Sequence, residues 1–196
     1  MKKIISSTIF LLILSGLFSF QQSQSIDYGL TRVNKTNNKL VFFWNEPSNE
    51  YEVVFSFANL IPNINCLSPA KQIDVSLKNA NIEAANQGKF YDAIIIGKST
   101  NRDIAIIFKD KSKDNSIARV KRDEGKYVFI ECEPLANYDV VYKSDVSGIG
   151  QQILLGTCPS MQEKIDKLLK RATKNNKEFD GVIYGSTKND LAIQFK

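Results

Sequence analysis

The chain contains no histidine among its 196 residues. Imidazole is the commonest general base near neutral pH and a frequent metal ligand in proteins. Its absence excludes Ser/His/Asp and Cys/His catalysis of the usual kind, together with every imidazole metal site. Carboxylates, lysines, tyrosines and thiols remain, and their spacing indicates no catalytic residue and no metal site. The sequence therefore predicts a non-enzymatic protein.

Motifs that bind nucleotide cofactors are also lacking. The tetrapeptide Gly-Lys-Ser-Thr at 97–100 resembles the end of a phosphate-binding loop. That motif needs a glycine five positions before Gly97, where Asp92 stands, and a helix after the loop, where the sequence predicts a strand. We interpret the segment as a hairpin turn and predict no cofactor.

Only three cysteines are present. In an oxidising compartment they permit one disulfide and leave one free thiol. Cys66 and Cys158 each precede a predicted helix, whereas Cys132 lies on a predicted strand. A short intervening loop within one half of the chain favours pairing of Cys132 with Cys158, leaving Cys66 free. A bridge between Cys66 and Cys158, which would join the two halves, is the alternative.

Long apolar runs are confined to the beginning of the chain. Two lysines precede an apolar run over 4–20, and small or polar residues follow over 19–25. This pattern is typical of a signal peptide, which we place at residues 1–25. Serine, threonine and glycine interrupt the run, which falls short of the ~20 residues that a membrane-spanning helix needs. We therefore predict an exported protein, periplasmic or secreted, with no transmembrane anchor and no nucleic-acid partner.

The remainder of the chain contains an internal repeat. Residues 30–59 align without a gap on residues 117–146, and ten of these thirty positions are identical. The likeness resumes at Cys66 and Cys158, and both copies end on Phe-Lys. Matched apolar and turn positions at a fixed period indicate that one supersecondary unit was duplicated.

Apolar runs and alternating patterns predict the strands of each copy. The Glu46-Pro47 pair is expected to end the second strand, because proline cannot donate a ladder hydrogen bond. In the first copy the predicted strands span 30–33, 40–44, 51–57, 93–96 and 104–108.

One helix per copy is predicted from its start signals. Ser68 is an N-cap followed by Pro69 at the first helical position, and Ser160 with Glu163 has the spacing of a capping box. Apolar residues then recur at helical spacing and form one stripe that packs on the sheet.

These elements predict an α+β fold with two tandem copies of a β-β-β-α-β-β unit. Each unit is a small antiparallel or mixed sheet with one helix packed on it. The first repeat spans 26–109, a polar linker spans 110–116 and the second repeat spans 117–196. Because about 80 residues give only a marginal core, the repeats are expected to share an interface.

The repeats differ most in their aromatic residues. Trp44 and Phe57 of the first copy correspond to Glu131 and Ser144 of the second. This asymmetry indicates a partner site on the first copy, although a core between the repeats is an alternative explanation. The candidate binding residues are Phe42, Trp44, Tyr51, Phe55 and Phe57.

Several carboxylates recur in both copies. Glu46, Asp92 and Asp103 have acidic counterparts in the second repeat. A hydrolase would need two such acids to converge in one cleft. An aspartate that enters a strand or turn usually bonds local backbone, so we favour a structural role.

Both copies carry Tyr-x-Val-Val, a capped helix, Asp-Ala/Gly-Ile/Val-Ile and a terminal Ala-Ile-x-Phe-Lys strand. This pattern resembles small repeat domains of exported proteins of bacterial cell envelopes. More distantly, it is similar to β-α-β-β envelope-stress lipoproteins and their heavy-metal-binding-like relatives. This chain has no acylated cysteine, so the resemblance implies a fold and a location, with no signalling role and no catalytic residue.

Three functions are consistent with these observations, and the first two are favoured. The first is a module that binds a protein or an envelope component through an exposed sheet edge or the aromatic first copy. The second is a protein that binds a small molecule or a metal ion in the groove between the repeats. A carboxylate-dependent hydrolase is the third and least favoured possibility.

Overall fold

A computed structural model describes residues 26–58, 66–97, 102–144, 158–175, 178–185 and 189–196. The predicted signal peptide and residues 98–100 of the predicted hairpin turn lie outside those ranges. Within them the protein has two helices and thirteen strands in two sheets. The predicted α+β class is confirmed.

We refer to residues 26–109 as the first half and to residues 117–196 as the second half. The first half contains β1 (Leu30–Arg32), β2 (Lys35–Thr36), β3 (Lys39–Phe43), β4 (Asn45–Pro47), β5 (Tyr51–Ala58), α1 (Pro69–Gln87), β6 (Ala93–Ile96) and β7 (Arg102–Phe108). The second half contains β8 (Ile117–Asp123), β9 (Lys126–Ile130), β10 (Glu133–Pro134), β11 (Tyr138–Ser144), α2 (Met161–Lys174), β12 (Gly181–Tyr184) and β13 (Asp190–Phe195).

Both sheets are mixed. The first has the order β2-β3-β6-β7-β5, and only the β3–β6 pair in it is parallel. The second has the order β10-β1-β8-β9-β12-β13-β11, with β4 also paired to β8 and with β9 and β12 parallel. A helix precedes β6 in one half and β12 in the other, as a parallel crossover requires.

Each half has one tight hairpin turn near its start. Asn37 and Asn38 join β2 to β3 with φ of 51° and 62°, and Glu124 and Gly125 join β8 to β9 with φ of 48° and 80°. Two-residue turns with positive φ at both positions match the twist of the flanking strands, and asparagine and glycine tolerate that geometry best.

The helices begin where the sequence predicts. The Ser68 side chain accepts a hydrogen bond from the Lys71 backbone N–H at the start of α1, and Pro69 occupies its first turn. Ser160 and Glu163 form a complete capping box at the start of α2. These caps satisfy backbone N–H groups that have no partner within a helix.

The Glu-Pro segments are exchanged between the halves. The strand before Glu46-Pro47 ends at Phe43, in agreement with the prediction, but the segment also forms β4 and pairs with β8 of the second half, which the sequence does not predict. In turn, β10 pairs with β1 of the first half. The registers correspond, since Glu46 lies opposite Arg119 and Glu133 lies opposite Arg32. Proline is tolerated there because these strands are only two or three residues long.

The largest buried cluster contains residues of both halves. It includes Phe43 and Leu77 of the first half and Ile130, Ile165 and Leu169 of the second. The stripes of both helices therefore pack into one shared core. Burial of such aliphatic and aromatic side chains contributes about 1.5–3 kcal/mol each, which makes this interface a major source of stability.

The disulfide joins the halves. Cys66 is bonded to Cys158, with 5.0 Å between their Cα atoms, and Cys132 is a buried free thiol. The favoured pairing of Cys132 with Cys158 is wrong, and the alternative is confirmed. The physical reason is that the segments before the two helices lie side by side, whereas Cys132 lies against Asn45 of the first half.

Candidate ligand cavity between the two halves

Trp44 and Glu131 occupy matched positions directly after β3 and β9. Both have positive φ, 59° for Trp44 and 54° for Glu131. Their backbone N–H groups donate to matched carbonyls, Ile96 at 3.0 Å and Tyr184 at 2.9 Å. The backbone therefore presents two different side chains in the same way.

A glycine makes room for each of these side chains. A Cβ atom on Gly97 would lie 2.2 Å from the Trp44 Nε1 atom, and one on Gly185 would lie 2.6 Å from the Glu131 Oε1 atom. Both glycines have positive φ, about 80°, which residues with a side chain rarely adopt. The backbone therefore favours glycine at both positions, and at Gly97 the rigid Trp44 ring adds a steric requirement.

The space around Trp44 is largely filled. The Lys121 ammonium lies 5.6 Å from the centre of the indole ring, within the range of a cation–π interaction. A cavity of only about 90 Å³ remains beside the ring, lined by Val128 and Ile165 among others.

The space around Glu131 is open. A cavity of about 180 Å³ lies between the halves, twice the volume beside Trp44. Its walls come from the segment after β1, from β2, β3, β4 and α1 of the first half, and from the end of β9 and the two residues that follow it in the second half. The lining residues are Val33, Asn34, Thr36, Val41, Phe43, Asn45, Ala70, Ile73, Asp74, Ile130, Glu131 and Cys132. Replacement of a bulky indole by a carboxylate at the matched position explains the difference in volume.

Asn45 lines this cavity and has a buried polar atom without a partner among the described residues. Its side chain is only 2% exposed, and its Oδ1 atom has no hydrogen-bond partner in the part of the chain that the structure describes. Its Nδ2 group donates to the Cys132 sulfur at 3.7 Å. A buried acceptor without a partner costs about 1–3 kcal/mol, so this oxygen is a favourable site for a ligand donor.

Glu131 is a half-buried carboxylate in the same cavity. Burial raises the pKa of its side chain, and a hydrogen bond from the Ala70 backbone N–H at the start of α1 opposes that rise. Burial also raises the pKa of the Cys132 thiol, which keeps it protonated and unreactive. The cavity thus combines a carboxylate, a free amide oxygen and a neutral thiol.

The recurring carboxylates of the first half accept hydrogen bonds from other residues of that half. Asp92 accepts from the Phe108 backbone N–H at 3.1 Å, and Asp103 accepts from the Ser76 hydroxyl at 2.8 Å. Glu46 accepts from the Tyr51 hydroxyl at 3.1 Å. These bonds are structural, but the partners of Asp92 and Asp103 are distant in the sequence, so they are not the local backbone contacts that the sequence predicts.

The predicted aromatic site is divided between the interior and the surface. Phe42, Phe55 and Phe57 are buried, so their side chains offer no area to a partner. Trp44 and Tyr51 are half-buried. The alternative explanation of the aromatic residues, a core, therefore accounts for three of the five.

Sequence reasoning missed the cavity residues Asn45, Glu131 and Cys132 as a group. Two signals were available in the aligned repeats, because Trp44 matches Glu131 and Asn45 matches Cys132. Both are changes of chemical class in otherwise similar segments. Their common place in space becomes evident only when the halves are packed together.

No family model, curated protein or solved structure matches this chain. The resemblance to repeat domains of envelope proteins therefore stays a prediction. Among the described residues, neither helix is long and apolar enough to cross a membrane.

Proposed function

We propose that this protein is a non-enzymatic binding protein whose ligand, a small organic molecule, lies in the cavity around Glu131. The observation that carries the proposal is a cavity of about 180 Å³ that is lined by the half-buried Glu131 and by Asn45, whose buried Oδ1 atom has no partner among the described residues. A cavity of about 150 Å³ holds a molecule the size of benzene, so the space suits a small ligand.

The proposal includes a tandem duplication of the predicted β-β-β-α-β-β unit, to which the structure adds the short strands β2 and β4 in the first half and β10 in the second. Matched hydrogen bonds support it. Val33 donates to the Ser116 carbonyl and Val120 donates to the Gly29 carbonyl, both at 2.9 Å, and these pairs are related by exchange of the two copies. After a duplication, one copy can retain its packing while the other acquires a site. Trp44 and Glu131 are consistent with that division.

We also propose that the protein is exported. Support comes from the signal-like residues 1–25 and from the Cys66–Cys158 disulfide, since such bonds persist in oxidising compartments.

A ligand screen on wild type and a Glu131→Trp variant tests the cavity. Tryptophan at this position reproduces the side chain of the matched site and is expected to fill the space. Compounds that bind in the cavity should raise the Tm of the wild type and leave that of the variant unchanged. Differential scanning fluorimetry with a small-molecule library is the measurement.

The control is Glu52→Trp, which places the same side chain at an exposed position of β5 outside the cavity. This variant should retain the ligand-induced rise in Tm. Failure of every compound to stabilise the wild type, or stabilisation that persists in Glu131→Trp, would contradict the proposal.

Binding of a protein or envelope component remains a second proposal. Its support is that β5 and β11 are the last strands of their sheets and carry exposed valines, Val53 at 55% and Val140 at 41%. A free strand edge suits strand addition by a partner. Pull-down from envelope extract with wild type and with Val53→Lys and Val140→Lys variants tests it. A specific partner lost in a variant is expected, and equal recovery by all three proteins counts against the edge.

A further inference from the structure

The charged residues that line the cavity are all acidic. Glu131 and Asp74 are carboxylates, and none of the described residues that line the cavity is lysine or arginine. The unpartnered Asn45 Oδ1 atom is an acceptor as well. Such a lining disfavours anionic ligands and favours a ligand that is cationic or rich in hydrogen-bond donors.

The rest of the wall is apolar. Val41, Phe43, Ile73 and Ile130 line the cavity, and Asn45 is the first residue of β4, two positions after Phe43. A ligand that satisfies both parts of the wall has a polar head and a short hydrocarbon body. By comparison with the cavity that holds benzene, the volume admits about six to eight non-hydrogen atoms.

We infer that the cavity binds a small aliphatic amine as its ammonium ion, with the nitrogen at the Glu131 carboxylate and a shift of the Asn45 side chain that brings its buried Oδ1 atom within hydrogen-bond distance. An ammonium group carries three N–H donors and no acceptor, which matches this pair of acceptors. Its charge compensates the half-buried carboxylate, and hydrogen bonds between charged groups are stronger than neutral ones. The hydrocarbon part packs against the apolar wall. The inference rests on the cavity proposal and names its ligand class.

A bare metal ion matches the site less well than an ammonium ion. The described residues contain no group of three or more His, Cys, Asp or Glu side chains placed to hold a metal.

Matched probes with one hydrocarbon skeleton test the ligand class. Isobutylamine, isobutanol and isobutyrate are titrated into the protein by isothermal calorimetry. We expect the amine to bind at least about tenfold more tightly than the alcohol, because one charge-assisted hydrogen bond is worth about that factor. The carboxylate probe should not bind, because like charges repel in the cavity.

Glu131→Gln keeps the shape of the side chain and removes its charge. This variant should lose most of the preference for the amine. Glu50→Gln is the control, since it removes one negative charge at a residue whose side chain is 82% exposed and lies outside the cavity lining. The control should bind the amine as the wild type does.

The pH dependence provides a measurement on the wild type alone. The pKa of Glu131 is raised by burial, so the carboxyl is neutral over a window above its ordinary pKa and ionises as the pH rises through the raised value. The amine should therefore bind more tightly at about pH 8 than at about pH 5, whereas the alcohol should not. Other titratable groups facing Glu131 are Asp74 on α1, Cys132 beside it and Tyr184 on β12, and burial keeps the latter two protonated at both pH values.

The outcomes separate the two proposals. If isobutanol binds as tightly as isobutylamine, or if the amine preference persists in Glu131→Gln and is independent of pH, the ammonium inference is wrong and the cavity proposal stands. If no probe binds while other library compounds stabilise the wild type and not Glu131→Trp, the conclusion is the same. If no compound of either set binds in the cavity, both are wrong.

Discussion

Removal of the Cys66–Cys158 bridge by replacement of both cysteines with serine is expected to lower the free energy of unfolding by about 4 kcal/mol. The bonded residues are 92 positions apart, so the bond restricts a long loop in the unfolded chain. In the folded protein it also fixes the segments that precede both helices. Urea denaturation of the double variant and the oxidised wild type measures the difference.

A reductant provides the control for this experiment. It should lower the stability of the wild type toward that of the double variant and leave the double variant unchanged. Cys132 is a free thiol in the wild type and the variant alike, so it does not contribute to the difference. A loss below about 1 kcal/mol would show that the halves hold together without the covalent link.

Gly97→Ala is expected to destabilise the protein by about 3 kcal/mol or more. The left-handed backbone costs a residue with a side chain about 1–2 kcal/mol, and the new methyl group collides with the Trp44 ring. Trp44 is the only tryptophan, so its fluorescence should change together with the unfolding midpoint. Chemical denaturation followed by fluorescence and by circular dichroism measures both effects.

Gly125→Ala separates the two causes. Gly125 has the same φ of 80° as Gly97, but an added Cβ atom there meets nothing within 4 Å. It should cost only the backbone contribution, about 1–2 kcal/mol. In a Trp44→Ala background, Gly97→Ala should cost no more than Gly125→Ala. Equal losses for the two single variants would mean that the ring moves aside at little cost.

Local features of the fold could be predicted from the sequence. The Asn37-Asn38 turn, the Ser68 and Ser160 caps and the positions of both helices follow from residues within a few positions of one another. Backbone preference and side-chain capping act over that distance, so a single sequence contains the necessary information.

Contacts between the halves could not be predicted in the same way. The strands that begin the two halves share Arg-Val, and the short strands that pair with them share Glu-Pro, so the pattern does not distinguish pairing within a half from pairing across halves. The structure pairs β4 with β8 and β10 with β1. The same ambiguity hid the disulfide and the cavity, because each depends on how the halves are placed.

The exchange of the Glu-Pro strands β4 and β10 between the halves affects how the protein unfolds. If one half opens, the other is left with unpaired N–H and C=O groups along β1 or β8 and with an exposed face of the shared cluster. Leaving such groups without partners costs free energy. The conformational entropy gained when one half opens does not offset that cost. We therefore expect the two halves to melt as one cooperative unit, with neither of them folding independently.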